Sequence, residues 1–116
     1  MLPSQKRGQK TPAIYRITVD VEPRLAQHWL AWMLDEHVPE VLGERGFVRA
    51  TVSRDLEVDA RFIVEYTLED HDALEIFLNS EAAARHRATH DNRYAGKVRS
   101  QGQVLEPLAE IAVQRG

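Results

Sequence analysis

The order of hydrophobic periodicities constrains the fold of this chain more than any other sequence feature. A strand buried on one face alternates apolar and polar residues, whereas an amphipathic helix repeats apolar residues every three or four positions. These periods predict a strand at 13–21, a helix at 23–37, strands at 47–54 and 61–68, a helix at 72–89 and a strand at 104–113. The order strand-helix-strand-strand-helix-strand predicts a ferredoxin-like α+β domain, βαββαβ, whose four-stranded antiparallel sheet carries both helices on one face.

Local signals predict where the helices begin and end. Proline biases the residue before it away from helical geometry, so Pro39 should end or kink the first helix at about His37. A short turn is expected to follow at 39–42. Asp72 followed three residues later by Glu75 matches a capping box, which predicts the start of the second helix.

The length of the chain suits one domain. With 116 residues, 43% of them hydrophobic, the chain can bury a core of its own. Residues 1–12 contain Lys6, Arg7 and Lys10 among proline, glycine and polar residues, a composition that gives the segment nothing to pack. We therefore expect a flexible basic tail over 1–12 and a single domain over 13–116.

Composition narrows the possible functions. The chain has no cysteine, which excludes disulfides, thiolate metal sites and thiol nucleophiles. A formal net charge of −3 gives no electrostatic case for a nucleic-acid partner. No apolar run approaches the roughly 20 residues of a membrane span, and the first residues lack the apolar centre of a signal peptide. We expect a cytoplasmic protein with neither a nucleic-acid nor a membrane partner.

Three strings in the first half of the chain resemble a known family. They are Tyr15-Arg16-Ile17-Thr18-Val19-Asp20-Val21, Trp29-Leu30-Ala31-Trp32-Met33 and Glu36-His37-Val38-Pro39-Glu40-Val41-Leu42. On these residues the chain resembles the domain of unknown function 4286 over about 14–112. The resemblance implies a fold of the dimeric α/β-barrel group, in which two ferredoxin-like subunits pack sheet against sheet. It supplies no catalytic residues.

Both helical patterns place ionisable side chains on apolar faces. On the first helix, Glu36 and His37 fall within the arc of the apolar residues. On the second helix, Glu81 and Arg85 share the apolar stripe as an i,i+4 pair. Because an unpaired buried charge is costly, these groups should either pair or line a cavity.

The functional hypothesis is a pocket between the first helix and the sheet that binds a small, partly aromatic or acidic molecule. Arg85 would hold a carboxylate. His37 would act as a general acid or base, because its ordinary pKa of about 6.5 lies near working pH. The expected ligand-binding residues are Trp29, Trp32, Met33, Glu36, Tyr66, Phe77 and Arg85.

Structural explanations compete with this pocket. Glu81 and Arg85 can pair with each other at the surface, and His37 can hydrogen-bond the kinked backbone. The two tryptophans, three residues apart at the centre of the helix, can equally be core residues.

Two histidines of the second helix raise the question of a metal. His86 and His90 have the spacing of a helical metal pair, and Asp91 follows them. The helical pattern places both histidines on the exposed face, opposite Leu74 and Phe77. We therefore expect no metal site there.

The outer face of the predicted sheet, away from the helices, is mixed in charge. Its residues are Arg16, Thr18, Asp20, Arg49, Thr51, Ser53, Arg61, Ile63, Glu65 and Thr67. Interleaved cations and anions can be self-complementary in a two-fold interface. Together with the family resemblance, this pattern favours a homodimer formed through the sheet face.

The sequence alone is compatible with three functions. The chain binds a small molecule, or it is a non-catalytic protein-interaction or structural module. By analogy within the dimeric-barrel group it could instead be a cofactor-independent monooxygenase- or isomerase-like enzyme, with His37 handling protons and no cofactor. A cavity of roughly 300 Å³ or more beside Trp32 and His37 would favour ligand binding, and a filled core would favour the module.

Overall fold

The sheet of this protein has four antiparallel strands in the order β2-β3-β1-β4. A computed structural model describes residues 11–115, so the predicted tail lies outside the described residues except for Thr11 and Pro12. The strands are β1 (Ala13–Val21), β2 (Phe47–Arg54), β3 (Arg61–Leu68) and β4 (Val98–Leu105). The first three match the bounds that alternation predicts.

Alternation along the central strands separates the two faces of the sheet. In β3, Phe62, Val64, Tyr66 and Leu68 are all buried on the face that meets the helices, whereas the residues between them are half-buried. The pairing register places the predicted outer-face residues of β1, β2 and β3 together on the opposite face. That part of the prediction is confirmed.

The first helical segment is longer than predicted and contains a π-helical turn. It consists of a 3₁₀ turn (Pro23–Leu25), α1 (Ala26–Trp32), the π turn (Met33–His37) and α2 (Val38–Leu42). The predicted end of the helix before 39–42 is therefore wrong. The N–H of Val38 donates to the carbonyl of Met33, five residues earlier. The wider turn admits Pro39, whose ring would clash with the preceding turn of a regular α-helix.

The second predicted helix is two helices separated by a short break. They are α3, His71–Leu78, and α4, Glu81–Arg93. The cap of α3 is Asp70, whose carboxylate accepts the N–H of Ala73 at 2.8 Å, so the capping box predicted at Asp72 is wrong by two residues. Ser80 caps α4 by accepting the N–H of Ala83 at 3.1 Å. A helix that would have continued through Ser80 therefore begins again there.

The last strand lies earlier in the chain than predicted. β4 pairs with β1 from Val98, opposite Val21, to Leu105, opposite Ile14. The residues that follow, 106–115, have no regular structure. The prediction failed because β4 is an edge strand with a mostly polar sequence, whereas the apolar residues that suggested a strand lie beyond it.

The core lies between the helices and the inner face of the sheet. Its largest fully buried side chains are Trp29, Val64, Leu68 and Leu74. None of the helices within 11–115 combines the length and the apolar character that crossing a lipid bilayer requires. The architecture is the ferredoxin-like α+β fold that the sequence predicts, with its second helix split in two.

Candidate functional site

A cavity of about 170 Å³ lies between α4, the π turn and the inner face of the sheet. Its apolar lining comprises Ile17, Val19, Met33, Val41, Val64, Phe77, Leu78 and Ala83. Its polar lining comprises Tyr15, His37, Tyr66, His86, Arg87, His90, Asp91 and Ser100. An apolar cavity of about 150 Å³ holds benzene, so this space accommodates one six-membered ring. It is smaller than the roughly 300 Å³ that the sequence analysis set as favouring ligand binding, but the space is not filled as a packed module would require.

The π turn decides which residue of the first helical segment faces the cavity. Continuing the α-helix from Met33 would bring Glu36 onto the inner face together with His37. The extra residue of the π turn advances the inner face by one position, so His37, Val38 and Val41 are buried and Glu36 is exposed. The predicted inward position of Glu36 is therefore wrong.

The break before α4 decides which of its residues face the cavity. The lining residues of this helix are Ala83, His86, Arg87, His90 and Asp91. They are spaced by three and four residues and form one stripe along the helix. Because α4 starts again at its cap, this stripe is not the continuation of the apolar stripe of α3.

The residues predicted to face inward on this helix lie elsewhere. Glu81 and Arg85 are both exposed, and neither makes a salt bridge with a residue in the described part of the chain. The predicted inward stripe and the predicted surface pair are both wrong. The inward stripe assumed a single continuous helix, whereas both residues of the pair lie within α4 and do not approach each other within ion-pair distance.

Three imidazoles meet beside the cavity. The ring centroid of His37 lies 6.0 Å from that of His86 and 5.8 Å from that of His90. The exposed position predicted for His86 and His90 is wrong, because both are half-buried. The three rings are called the histidine cluster below.

Neighbouring side chains fix the proton positions on two rings of the cluster. Nε2 of His86 donates to Oε2 of Glu44 at 2.7 Å. Nε1 of Trp29 donates to Nε2 of His90 at 3.0 Å, so Nε2 of His90 carries no proton. The proton of that ring is on Nδ1, which donates to Oδ1 of Asp91 at 3.1 Å. His90 is therefore held as a neutral imidazole, since protonation would set two N–H groups against each other.

The third ring, His37, is buried without a hydrogen bond. It stacks on Trp32 with centroids 4.8 Å apart and planes at 27°. Its Nδ1 is inaccessible and has no partner among the described residues, so the predicted hydrogen bond to the backbone is not formed. Burial is the largest cause that lowers the pKa of His37 to about 4, and the nearby His90 and His86 act in the same direction. The ring is neutral at pH 7.

Two tyrosines supply hydroxyl groups from the sheet side. Tyr15 and Tyr66 are directly opposite in the register of β1 and β3, and both border the cavity. Burial raises the pKa of Tyr66, so this hydroxyl stays protonated at any ordinary pH. Tyr15 reaches its position because Gly102 has no side chain: a Cβ there would lie 2.7 Å from the Tyr15 hydroxyl oxygen.

Some of the predicted site residues border the cavity and others support it. Those that border it are Met33, His37, Tyr66 and Phe77. Trp29 and Trp32 are buried in the core, as the structural explanation held, and do not line the cavity. Each nevertheless orients an imidazole, because Trp29 donates to His90 and Trp32 stacks on His37. The sequence analysis did not identify the histidine cluster, because the cluster depends on the π turn and on the break before α4.

Potential metal ligands converge elsewhere. Within 11–115, the group whose ligand atoms all lie within 4.8 Å of one another is the exposed trio of His71, Asp72 and Glu75. Exposed acidic groups of this kind are common without a metal. His86, His90 and Asp91 do not bring their ligand atoms together in this way.

Solved structures share this fold. The structure of SnoaB, a cofactor-independent oxygenase from Streptomyces nogalater, aligns with a TM-score of 0.58 and 19% identity over 90% of this chain and 99% of that one. A conserved protein of unknown function from Bacteroides thetaiotaomicron, described as a possible oxidoreductase, aligns with a TM-score of 0.64 and 12% identity over 84% and 98%. A protein from Pseudomonas aeruginosa aligns with a TM-score of 0.60 and 23% identity over 87% and 98%.

At such identities these similarities show the fold alone, which is that of a ferredoxin-like α+β protein. The family is shown by sequence. The domain of unknown function DUF4286 matches residues 12–108, and the chain belongs to this family, as the strings in its first half predict. No protein with a curated description matches the chain in sequence.

Proposed function

We propose that this protein binds a small, single-ring organic molecule in the cavity between α4, the π turn and the sheet. The observation that carries the proposal is His37, which borders the cavity while neither ring nitrogen has a hydrogen-bond partner among the described residues. Leaving a buried polar group unpaired costs about 1–3 kcal/mol. A side chain with only a packing role would not need to be polar there.

The volume supports a small ligand over the alternatives. A protein-interaction or structural module would be expected to have a filled core, whereas this core contains about 170 Å³ of space bordered by polar groups. The same volume is too small for a fused-ring molecule, because a drug-sized pocket starts at roughly 300 Å³. The proposal is therefore limited to ligands of about one ring.

The environment of His37 favours binding over acid–base catalysis. A general base works best when its pKa lies near the operating pH. The pKa of His37 is lowered to about 4, so the ring is a weak base at neutral pH. Its neutral imidazole can donate or accept one hydrogen bond, which suits a role in holding a ligand.

Filling the cavity tests the proposal. Ala83→Leu adds three carbon atoms at a cavity-lining position, and Ala84→Leu adds the same atoms at the exposed neighbour. Ligand-observed NMR with toluene and phenol as probes should show binding to the wild type and to Ala84→Leu, and none to Ala83→Leu. Absence of binding to the wild type, or equal binding to all three proteins, would contradict the cavity as the site. Circular dichroism checks that both variants are folded.

We also propose that two copies associate through the outer face of the sheet. On that face Arg16 lies 3.9 Å from Glu65, and Nε of Arg61 donates to Asp20 at 2.8 Å. Rows of alternating charge can face their own two-fold copy. The segment after β4 adds apolar surface that nothing in 11–115 covers, with exposed fractions of 87%, 91% and 75% at Leu108, Ile111 and Val113.

A charge placed on the outer face tests the association. Ile63→Glu puts a carboxylate at the centre of the outer face, and Ile76→Glu puts one on the exposed side of α3. Light scattering coupled to size-exclusion chromatography should give a dimer mass for the wild type and Ile76→Glu, and a monomer mass for Ile63→Glu. A monomeric wild type, or a dimeric Ile63→Glu, would refute the interface.

A further inference from the structure

An unpaired cation borders the cavity. Arg87 lies on the lining stripe of α4 and is exposed, so it stands where the cavity meets solvent. It makes no salt bridge with any residue of 11–115. Asp91 is the carboxylate of the lining, and it already accepts a hydrogen bond from His90. Within 11–115 the guanidinium of Arg87 therefore has no ion-pair partner, and the lining holds one carboxylate, Asp91, four residues after it on the same stripe.

His37 borders the same cavity. Its ring packs against His86 and His90, and these two residues flank Arg87 on the lining stripe. Because Nδ1 of His37 is inaccessible and a buried N–H without an acceptor is rarer than an unpaired acceptor, the proton belongs on Nε2. Nε2–H is then the donor that this ring can present to an occupant of the cavity.

Two tyrosine hydroxyls add further polar groups to the lining. Tyr66 stays protonated, and the hydroxyls of Tyr66 and Tyr15 have no hydrogen-bond partner in the described part of the chain. Both nitrogens of His90 are engaged. An occupant that brings oxygen acceptors can accept from these hydroxyls and from Nε2–H of His37.

We propose that the occupant is a small carboxylic acid with an apolar body, bound as the carboxylate by Arg87 and Nε2–H of His37. The inference rests on the proposed function and names its ligand class. The apolar body then lies against Phe77, Met33 and the strand residues of the lining. Arginine supplies two parallel donors for a carboxylate, which offsets the cost of taking the anion out of water. The role that the sequence assigned to Arg85 thus belongs to Arg87, on the stripe that faces the cavity.

Three probes of equal size and different charge test the ligand class. Benzoate, benzamide and benzylamine share one ring and differ in the group attached to it. Isothermal titration calorimetry should show benzoate binding to the wild type at least about tenfold more tightly than benzamide, with no binding of benzylamine, because a hydrogen bond to a charged group contributes about 1.5–3 kcal/mol.

Two matched variants assign the effect to one side chain. Arg87→Gln should lower the affinity for benzoate about tenfold or more and that for benzamide by a smaller factor, because a hydrogen bond to a charged group contributes more than one between neutral groups. Arg85→Gln, which removes a cation from the exposed face of the same helix, should change neither affinity. Both positions are exposed, so neither substitution should affect folding.

The outcomes separate this inference from the proposed function. Equal affinities for benzoate and benzamide in the wild type, or an equal effect of both arginine substitutions, would overturn the carboxylate and leave the cavity as a binding site. Failure of toluene, phenol and all three probes to bind would overturn the proposed function and the ligand class together.

Discussion

The burial of His37 makes the stability of this protein depend on pH. In the unfolded chain the pKa of a histidine is about 6.5, and in the folded protein burial lowers the pKa of His37 to about 4. Between these values the unfolded chain binds a proton that the folded protein does not. His37 therefore costs no stability above about pH 6.5 and lowers it progressively as the pH falls towards 4.

The magnitude follows from the two pKa values. The difference between about 4 and 6.5 corresponds to about 3 kcal/mol when the pH is below both. Between about pH 7.5 and about pH 5, His37 should lower the free energy of unfolding by about 2 kcal/mol. For an m value of about 2 kcal/mol per molar urea, the midpoint of urea unfolding should fall by about 1 M from this one residue.

The groups around His37 set the design of the experiment. The titratable groups that face it are His86 and His90 from α4, and these pair with Glu44 and Asp91 respectively. Because these ionisable groups surround His37, its contribution must be isolated by difference between proteins.

The substitution His37→Phe isolates that contribution. The phenyl ring keeps an aromatic group stacked on Trp32 and cannot bind a proton. His71→Phe makes the same exchange at an exposed histidine. Urea midpoints at the two pH values should fall about 1 M further in the wild type and in His71→Phe than in His37→Phe. A parallel fall in all three proteins would refute the argument that His37 is buried neutral.

Two further predictions concern the backbone around the cavity. Ser80→Ala removes the acceptor of the Ala83 N–H at the start of α4 and should cost about 1 kcal/mol in urea unfolding; unchanged stability would show that the cap does not hold the break. Gly102→Ala places a Cβ 2.7 Å from the Tyr15 hydroxyl oxygen and should cost about 1–3 kcal/mol in thermal unfolding. Because this Cβ would also lie 2.9 Å from Cε1 of Tyr15, adding Tyr15→Phe should recover only the part of the loss that is due to the hydroxyl. A Gly102→Ala protein as stable as the wild type would refute the close approach of Tyr15.

The strands at the centre of the sheet could be predicted because alternation and burial coincide there. In β3 each apolar residue of the inward-facing pattern is buried, and the bounds Arg61–Leu68 follow from the sequence. β4 lies at an edge, where one side of the backbone is unpaired and polar side chains suffice. The other edge strand, β2, was located because it keeps apolar residues along its length, whereas the middle of β4 is polar, so the apolar pattern indicated the segment beyond β4.

The candidate site could be predicted only in part, because helix phase fixes which residue faces inward. The sequence analysis placed His37 on the inward-facing arc of the first helix, but it placed Glu36 on the same arc. The available signal was Pro39, since a proline inside a continuing helix requires a wider turn. In the second helix the signal was Asn79 followed by Ser80, two residues that favour caps over helix interiors. Neither signal gives the size of the phase shift without the structure.

The two irregularities together explain why the site is made of imidazoles. Regular helices would turn Glu36, Glu81 and Arg85 towards the sheet, and burying such charges costs several kcal/mol each without a partner. The π turn instead moves Glu36 outward and keeps His37 inside, and the break at Ser80 turns His86 and His90 towards the cavity. Arg87 reaches the edge of the same space while its charge stays in water. Departures from regular geometry tend to persist where function requires them, and here both departures converge on one cavity.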